Sequence, residues 1–365
     1  MAKQIQRPVR CAVILAGGAG SRLRPLTDTT PKPLVEFGTE PFILGVLRRL
    51  AAAEVTDVWI LVGADTAPFG EVVAVARTFG VDVTIVNETS PLGTAGGVRQ
   101  LAEHLHEPFF VLNGDILTDV DYVAVANAHA NSVATLVVSE VDDPSTYGVC
   151  QVVDGEIVGF LEKPSREDCP GPALVNAGTY LVTPDLFAGF KAGELSFERD
   201  VFPAAIRRGQ QLHVYVSDAN WADLGTPKRF LAGHRLALDG AISWPSVVGV
   251  SETVPGVRVD ASATIARSAT LVPPVLIGPH TVVESGATIG PHVVLTAHVT
   301  VCENAVLSDA TVQQGAIVGA HATLHNSIVG PHVTLGEGMS ATDDCVFVTD
   351  VAPGVKVPPG FRGGN

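Results

Sequence analysis

The chain is poor in aromatic and basic residues. Aromatic side chains make up 6% of its 365 residues, whereas hydrophobic residues of all kinds make up 46%, so we expect cores built from Val, Ile, Leu and Ala. Lys and Arg number 23 against 38 Asp and Glu, which gives a formal net charge of −15. This excess of negative charge argues against nucleic acid or an anionic membrane as a general partner. A small anionic ligand would need a local group of cations.

Closely spaced cysteines and long apolar runs are also lacking. The five cysteines are scattered and show no C-x-x-C spacing of a metal site, so we interpret them as reduced thiols. No stretch approaches the ~18 apolar residues of a membrane helix, and the N-terminal apolar run is too short for a signal peptide. We therefore expect a soluble, cytoplasmic protein without a membrane partner.

A glycine-rich segment follows the first apolar run. The run Cys11–Leu15 predicts a buried strand, and the sequence continues as Ala-Gly-Gly-Ala-Gly-Ser-Arg-Leu-Arg-Pro-Leu-Thr. Glycine permits a sharp turn and a close approach to the backbone. Arg22, Arg24 and Lys32 follow in an otherwise acidic chain. Backbone N–H groups together with these cations indicate a phosphate-binding turn.

Two common phosphate-binding motifs do not match this segment. No Gly-Lys-Ser/Thr closes it, so it is not a P-loop. Leu23 stands where the dinucleotide fingerprint has its third glycine. For the segment taken alone, a tight strand-to-helix turn without a ligand remains the alternative.

Strand-length apolar runs alternate with helical patterns from Val9 to about Leu238. This alternation predicts a Rossmann-like α/β domain with a mostly parallel sheet covered on both faces. Ligands of such sheets bind at the carboxyl ends of strands, so we expect the glycine turn and Asn113–Asp115 in one crevice. The predicted strands are 58–62, 81–86, 109–112 and 133–138, and the predicted helices are 42–53, 68–79, 95–104 and 120–130. A hairpin-like portion beyond Gly148 is expected to extend the sheet.

Aliphatic residues recur every six positions in the C-terminal part. They are Val259, Ile265, Leu271, Ile277, Val283, Ile289, Leu295, Val301 and Leu307. This period fits neither an amphipathic helix nor a simple strand, and it is typical of hexapeptide repeats that form a parallel β-helix. The register slips near Gln313. We expect domains at 1–240 and 257–345, a linker at 241–256, and a poorly ordered tail at 346–365.

Two carboxylates follow or precede predicted elements at positions suited to a metal. Asp115 comes at the end of a predicted strand, in Asn-Gly-Asp, and Asp223 precedes a predicted helix, in Trp-Ala-Asp-Leu-Gly-Thr. Carboxylates on separate segments suit Mg²⁺, which prefers oxygen ligands and substrate phosphates. Taken singly, a turn residue at Asp115 and a residue of a helix-cap region at Asp223 are equally good interpretations.

These motifs, in this order, resemble the sugar-1-phosphate nucleotidylyltransferases. Enzymes of that family form an NDP-sugar and pyrophosphate from an NTP and a sugar-1-phosphate. The motifs that carry the resemblance are the glycine turn with Pro31-Lys-Pro, Leu92-Gly-Thr-Ala-Gly, Gly114-Asp, Tyr147-Gly, Glu162-Lys-Pro, Asn176-Ala-Gly and Trp221-Ala-Asp-Leu-Gly-Thr. They cover Val9 to about Leu238. By the same resemblance the C-terminal repeats form a β-helix of the left-handed type.

The resemblance implies a role for each motif. The nucleotide-binding residues it implies are Leu15, Ala16, Gly17, Gly18, Gly20, Ser21, Arg22, Gly93, Thr94, Ala95 and Gly114. Those for the sugar phosphate are Tyr147, Gly148, Glu162, Lys163, Asn176 and Gly178. Asp115 and Asp223 would hold Mg²⁺. Arg22, Lys32, Lys163 and Asp115 would be the catalytic groups, because they neutralise charge during the transfer.

Within the family, the sequences of these motifs most resemble those of bacterial mannose-1-phosphate guanylyltransferases with a C-terminal hexapeptide-repeat domain. We therefore expect GTP and mannose-1-phosphate, or a related sugar or cyclitol phosphate, as substrates. Thymidylyl-, uridylyl- and adenylyltransferases of glucose-1-phosphate share these motifs and stay open. So do two other classes: a hexapeptide acyltransferase with a β-helix histidine as base, and a non-catalytic regulatory subunit. A β-helix often serves assembly, so we expect a homo-oligomer.

Overall fold

The computed structural model describes residues 8–63, 65–129 and 132–363. The chain forms two compact units: residues 1–18, 46–116 and 120–221 in the first, and 19–45, 117–119 and 222–365 in the second. This grouping differs from the boundary that we expected near residue 240. Residues 19–45 and 222–240 group with the C-terminal repeats, because they make hydrogen bonds to them that the sequence pattern does not reveal.

A nine-stranded sheet is the centre of the first unit. Its strands, in chain order, are β1 Cys11–Leu15, β2 Asp57–Val62, β3 Asp82–Asn87, β4 Phe109–Asn113, β5 Ala134–Val141, β6 Gly148–Val153, β7 Glu156–Glu162, β8 Ala173–Val182 and β9 Leu212–Val216. They are arranged as β3-β2-β1-β4-β8-β5-β9-β7-β6. The Rossmann-like α/β fold predicted for this part of the chain is confirmed.

The strands β1 to β4 pair in parallel. Ala12, Val13 and Ile14 of β1 are fully buried, as expected for an inner strand of a sheet covered on both faces. Strand β8 runs antiparallel to both β4 and β5, and β6 and β7 form an antiparallel hairpin. The sheet is therefore parallel in its N-terminal half and mixed beyond it.

Helices connect these strands, with boundaries within about two residues of most predictions. Four lie in the first unit: α2 Gly70–Thr78, α3 Gly93–Ala102, α4 Tyr122–Ala128 and α5 Phe202–Arg207, the last preceded by a π-helical turn over Phe197–Val201. Helix α1, Phe42–Ala52, runs from the second unit into the first. The strands Ile116–Thr118 and Trp221–Asp223 also cross from one unit to the other. The predicted helix 120–130 ends at residue 130, which lies outside the described residues.

Strand β9 is the one strand of this sheet that the sequence pattern did not predict. It pairs in parallel with β5 over its whole length, and Glu156 of β7 pairs with His213 on its other side. Only Leu212 of this strand is fully buried, so its sequence carries little of the apolar signal that marks a central strand.

Short parallel strands make up most of the second unit. They are Glu252–Val254, Val257–Val259, Thr264–Ile265, Thr270–Leu271, Val275–Ile277, Val282–Val283, Thr288–Ile289, Val293–Leu295, Thr300–Val301, Val306–Val312, Ile317–Val318, Thr323–Val329, Thr334–Leu335, Ser340–Ala341, Cys345–Phe347, Lys356–Val357 and Arg362–Gly363. Apart from the antiparallel pair at its start, these strands pair in parallel. The arrangement is consistent with the predicted β-helix.

Strands of the repeats pair with strands eighteen residues along the chain, so three six-residue units make up one turn of the backbone path. Thr264 pairs with Val282, and Val282 pairs with Thr300, eighteen residues apart in each case. Thr300 pairs with Ile317, seventeen residues on, so the slip predicted near Gln313 is a one-residue deletion in the repeat. The aliphatic residues of the period fill the core between the strands.

The range 346–363 differs from the poorly ordered tail that we expected. Lys356–Val357 pairs in parallel with Ser340–Ala341, and Arg362–Gly363 pairs with Val346–Phe347. Phe347 is fully buried and its ring packs against Phe361 at 5.4 Å. Sixteen-residue spacings and several prolines hide the repeat here, because they break the strict six-residue register.

Five histidines of the repeats occupy turns with left-handed backbone conformation. They are His280, His292, His298, His321 and His332, with φ between 54° and 61°. A non-glycine residue with such a φ belongs to a tight turn. These side chains are therefore corner residues of the repeat path, and three of the five stand in a Gly-Pro-His sequence.

In one stack of strands of the repeats, the row of residues whose side chains point away from the core is buried as well. Leu276, Val294, Ile328 and Val346 lie between core-facing neighbours along their strands and are fully buried. Thr311 belongs to the same row by register. Its hydroxyl lies 3.1 Å from Nδ1 of His234, a residue of helix α6, Pro227–Leu238. Helix α6 therefore packs on this row.

His234 is the centre of this packing. The backbone N–H of Gly38 donates to its Nε2 at 3.1 Å, so Nδ1 carries the proton and donates to Thr311. The ring stacks on Phe37 with a centroid distance of 4.0 Å. Burial lowers the pKa of His234 to about 3, because the charged form is desolvated. A neutral imidazole thus joins the 19–45 segment, helix α6 and the repeats.

Glu36 and Arg235 make four further hydrogen bonds to the repeats within the second unit. Thr296 donates to Oε2 of Glu36 at 2.7 Å, and the backbone of Gln314 donates to the same oxygen at 3.0 Å. Arg235 donates to Asp309 at 2.6 Å and to Asn326 at 2.9 Å. A short helix α7, Pro245–Val248, follows Trp244, whose ring stacks on Phe42.

No helix in the described part of the chain has the length and apolar character to cross a membrane.

We predict that His234 makes the stability of the protein sensitive to acid. The folded pKa lies below the unfolded value of about 6.5, so stability is fully present above pH 6.5 and is lost as pH falls towards 3. At pH 5 this loss should be roughly 2 kcal/mol. We expect the melting temperature of the wild type to fall more between pH 7.5 and pH 5 than that of His234→Gln, which cannot take up the proton. Equal falls in the two proteins would contradict the prediction.

Candidate active site

The predicted site residues fall into both units. Arg22, Lys32 and Asp223 belong to the second unit, together with Gly20 and Ser21. The remaining predicted residues belong to the first unit.

The carboxyl ends of β1 and β4 lie beside the amino-terminal half of β8 in the first unit. Leu15 of β1 pairs with Asn113 of β4, and the backbone N–H of Gly114 donates to Leu15 O at 2.9 Å. A Cβ at Gly114 would lie 2.7 Å from that oxygen, and a Cβ at Gly178 would lie 2.6 Å from Nδ2 of Asn113. The backbone at the start of the glycine turn, the Gly114-Asp115 turn and the Asn176–Gly178 segment therefore lie side by side. Asp115 is half-buried there.

The Leu92–Gly97 loop begins helix α3 and packs on residues 193–195. Gly93 has φ +69°. A Cβ there would collide with Leu195 O, and one at Gly96 would collide with Gly193 O. The backbone N–H of Ala95 donates to Leu195 O at 2.9 Å. These two glycines are therefore required first by the close approach of another backbone segment.

A hydrogen-bonded network around Glu198 connects this loop with the Asn176 segment. Tyr180 and Ser196 donate to the Glu198 carboxylate at 3.2 and 2.9 Å. Thr94 and Asn176 approach the same carboxylate at 3.4 and 3.5 Å. Thr94 also accepts the backbone N–H of Phe197 at 3.0 Å. Burial raises the pKa of Tyr180 well above its usual value, so its hydroxyl stays protonated and donates.

The Tyr147 and Lys163 segments are joined by the β6–β7 hairpin. The backbone N–H of Lys163 donates to Tyr147 O at 3.0 Å, and Lys163 has φ +45°. Such a conformation is uncommon for a lysine and is found at functional sites. The Tyr147 ring meets the Trp221 ring edge-on at 5.2 Å. Glu162 pairs with Gly148 through the backbone; its side chain lies outside the described part of the structure.

Glu88 is a carboxylate that the sequence analysis did not identify. It directly follows β3, and its backbone N–H donates to Val62 O at 2.8 Å. A Cβ at Gly17 would lie 2.7 Å from its Oε2, and a Cβ at Gly97 would collide with its Oε1. Oε1 is buried and accepts no hydrogen bond from any described residue. An unsatisfied buried acceptor costs about 1–3 kcal/mol. Burial also raises the pKa of Glu88.

Asp223 is surrounded by three cations of the second unit. Arg229 donates to its Oδ2 at 2.6 Å. Nη2 of Arg22 lies 3.8 Å from Oδ2, and Nζ of Lys32 lies 4.0 Å from Oδ1. The Arg22 side chain is 64% exposed whereas that of Lys32 is 11% exposed. Arg22 therefore remains accessible to an anionic ligand while Asp223 keeps it nearby.

The donor set of Asp223 fits a hard cation. Its Oδ1 is buried and accepts no hydrogen bond from the residues of the described ranges, which leaves an oxygen lone pair for a metal ion. Within those ranges, no three His, Cys, Asp or Glu side chains form a ready-made metal cluster. Hard divalent cations take oxygen ligands of the kind that Asp223 offers.

Comparison with known proteins identifies the class. The nucleotidyl transferase family model matches residues 11–240. The chain belongs to the nucleotidyl transferase family. A second model, described as the GMPPB C-terminal domain, matches residues 271–357 of this nucleotidyl transferase. The resemblance stated from the motifs is therefore confirmed at the level of the family, and the protein is a nucleotidyltransferase enzyme.

Similar proteins match between 62% and 93% of the nucleotidyl transferase. Probable mannose-1-phosphate guanylyltransferase 2 of Arabidopsis thaliana is 34% identical, over 93% of this chain and 92% of its own. Mannose-1-phosphate guanyltransferase of Emericella nidulans is 42% identical, over 62% of this chain and 64% of its own. The crystal structure of HddC from Yersinia pseudotuberculosis complexed with GMP-PN is 25% identical and matches with a TM-score of 0.54, over 62% of this chain and 98% of that chain.

Three residues of the site escaped the sequence analysis for different reasons. Glu88 follows a parallel strand, so the rule that found Asp115 could have found it. Glu198 lies in a π-helical turn without a motif, and Arg229 is a helix residue near Asp223 with no distinguishing pattern. Their roles depend on contacts between distant segments.

We predict that Gly93→Ala destabilises the enzyme more than Gly80→Ala does. Both glycines have positive φ, and an alanine in that conformation costs about 1–2 kcal/mol. Gly80 has open space around the added Cβ, whereas the Cβ at Gly93 meets Leu195 O. Urea denaturation of the two variants measures the difference, which should exceed about 1 kcal/mol. Equal losses would mean that residues 193–195 move away freely.

Proposed function

We propose that this nucleotidyl transferase is a mannose-1-phosphate guanylyltransferase, which forms GDP-mannose and pyrophosphate from GTP and mannose-1-phosphate. The observation that carries the proposal is the similarity to proteins of that name along 93% of the chain. The complex of HddC with GMP-PN adds support for a guanine nucleotide.

The proposed reaction is an in-line displacement at phosphorus. A phosphate oxygen of the sugar-1-phosphate attacks the α-phosphorus of GTP, and the bond to the bridging oxygen of pyrophosphate breaks. The nucleophile needs no general base, because a phosphate monoester with a second pKa near ~6 is mostly dianionic at pH 7. The barrier therefore comes from the mutual repulsion of two anions and from the charge on the leaving group.

The residues of the chain would lower this barrier by positioning and by neutralising charge. Backbone N–H groups of residues 15–21 and Gly114, with the Arg22 and Lys32 side chains, would bind the triphosphate. Residues 93–95 would hold the base. Lys163 would bind the sugar phosphate, and its left-handed conformation fixes its direction.

The sugar hydroxyls would be bound by the hairpin and the strand β8. Tyr147, Gly148 and Glu162 belong to the hairpin, and Asn176 and Gly178 belong to β8. The Glu198 network supports this proposal, since it holds Asn176 in place. Asp115 and Asp223 are the proposed carboxylate ligands of Mg²⁺, which when bound would neutralise phosphate charge.

The C-terminal repeats are proposed to form a left-handed parallel β-helix that assembles a homo-oligomer. Parallel pairing at eighteen- and seventeen-residue spacings supports the β-helix. Sedimentation at micromolar concentration tests the assembly, and a monomer would contradict it.

A substrate panel tests the proposed function directly. GTP, ATP, UTP, CTP and dTTP are each paired with mannose-1-phosphate and glucose-1-phosphate, and pyrophosphate release is measured. We expect the highest kcat/KM for GTP with mannose-1-phosphate. Higher efficiency with another nucleotide or sugar would overturn the substrate assignment while leaving the enzyme class intact.

We predict that Asp115→Asn lowers turnover by at least ~100-fold, by analogy with the loss of one strong electrostatic element. Chelation of divalent metal should abolish wild-type activity, and added Mg²⁺ should restore it. Asp185→Asn, at an exposed aspartate of the same unit, is the control and should keep wild-type turnover. A near-normal rate of Asp115→Asn at saturating Mg²⁺ would remove Asp115 from the site.

A further inference from the structure

The two oxygens of the Asp223 carboxylate have different surroundings in the second unit. Arg229 donates to Oδ2 at 2.6 Å, and Nη2 of Arg22 lies 3.8 Å from the same oxygen. Oδ1 is buried and accepts no hydrogen bond from the residues that the structure describes. Nζ of Lys32 lies 4.0 Å from Oδ1, which is beyond hydrogen-bond distance. One oxygen is therefore held by the protein, whereas the other can accept a ligand.

The start of helix α6 holds Arg229 against this carboxylate. The hydroxyl of Thr226 accepts the backbone N–H of Arg229 at 3.3 Å and caps the helix. The next residue, Phe230, is buried, so the backbone at Arg229 is fixed on either side. A hydrogen bond between a guanidinium and a carboxylate is short and strong because both groups are charged. This bond therefore fixes the rotation of the Asp223 carboxylate and decides which oxygen is available.

Gly225 leaves space beside the available oxygen. A Cβ at this position would lie 2.6 Å from Oδ1 of Asp223 and 2.9 Å from Nη2 of Arg22. Any side chain there would crowd both atoms. The Arg22 side chain is exposed, so a phosphate bound by Arg22 would lie close to Oδ1. The arrangement suits a cation that contacts one carboxylate oxygen and a substrate phosphate together.

Hard divalent cations differ in how they use a carboxylate. Mg²⁺ is small and demands near-ideal octahedral geometry, which leaves little room for both oxygens of one carboxylate. Ca²⁺ is larger, takes more oxygen ligands in a flexible geometry and accepts both oxygens of one carboxylate. A carboxylate with one oxygen already held by an arginine therefore removes a ligand that only the larger ion can use.

We infer that Arg229 is a positioning residue that restricts Asp223 to one metal-binding oxygen and thereby favours Mg²⁺ over Ca²⁺. The inference rests on the proposed function, because it specifies the selectivity of the metal site for which Asp223 is a proposed ligand. Three positive side chains beside Asp223 would repel a bare divalent cation. The test therefore measures the metal together with the nucleotide, whose phosphates offset that charge.

The variant Arg229→Met tests this inference, because it removes the donor to Oδ2 and keeps a long, unbranched side chain on the helix. Calorimetric titration gives the Kd of GTP in saturating Mg²⁺ and, separately, in saturating Ca²⁺. Mannose-1-phosphate is left out, so no turnover takes place. The readout is the ratio of the two Kd values, because any effect of Arg229 on the phosphates themselves is the same with both metals and cancels.

For the wild type we expect tighter binding of GTP with Mg²⁺ than with Ca²⁺. In Arg229→Met this preference should fall by about 10-fold, the usual effect of one contact to a charged group, because Ca²⁺ gains the second oxygen of Asp223. A loss of stability would weaken both complexes alike and would leave the ratio unchanged. Arg229→Leu carries the same expectation and replaces Arg229→Met if that variant does not fold.

Lys228→Met is the matched control, since Lys228 is the exposed neighbour of Arg229 on helix α6. It loses the same single positive charge without touching Oδ2 of Asp223. It should keep the wild-type ratio of the two Kd values. An equal fall in both variants would mean that net charge sets the preference, and would overturn the inference.

The remaining outcomes separate this inference from the proposed function. If the wild type prefers Mg²⁺ and Arg229→Met keeps the wild-type ratio, Arg229 does not set the selectivity and the inference is overturned. A wild type that needs a divalent cation but binds GTP equally well with Mg²⁺ and Ca²⁺ would overturn it too, while leaving the proposed metal site intact. If GTP binds the wild type equally well after chelation of all divalent metal, the proposed metal role of Asp223 fails and the inference fails with it.

Discussion

The second unit depends on a neutral histidine buried where three segments meet. His234 accepts from the backbone of Gly38 and donates to Thr311, and the bond that it accepts requires the uncharged ring. Phe37 and Phe230 pack against its faces and edge, so water does not reach it. The contact joins the segment that carries Arg22 and Lys32 to the helix that follows Asp223. The repeats thereby support the residues proposed to handle phosphate.

This arrangement gives the C-terminal repeats a structural role within the second unit. Glu36 binds Thr296 and Gln314, and Arg235 binds Asp309 and Asn326. Each of these pairs joins the 19–45 segment or helix α6 to a turn or strand of the repeats. Such partly buried polar contacts fix relative position more sharply than apolar packing does, because each hydrogen bond requires a set distance and direction.

An acidic enzyme that is proposed to bind acidic substrates must concentrate its positive charge. The formal net charge is −15, yet Asp223 is approached by Arg22, Lys32 and Arg229. Mutual repulsion among these cations is reduced by the carboxylate at their centre. Asp223 already holds the three positive side chains close together. An incoming triphosphate would place its negative charge beside this cluster of cations.

The sequence predicted the strand–helix alternation, the repeat period and most of the proposed site. Those features depend on neighbours along the chain: the six-residue period fixes Val283 and Ile289 in a core, and three glycines mark a turn. The strand β9 and the pairing of residues 356–363 were missed, because their apolar signal is weak or out of register. Glu198 and Arg229 were missed because nothing beside them in the sequence marks their partners.

The sequence by itself determined the two kinds of fold and the chemical class of the site, since both depend on local patterns. Only the tertiary structure decided which unit carries Arg22 and Lys32, and that Glu88 lies between Gly17 and Gly97. The reason is physical: hydrogen bonds and desolvation depend on distances between residues far apart in the chain. His234 and Gly38, for example, are 196 positions apart along the chain yet share a hydrogen bond.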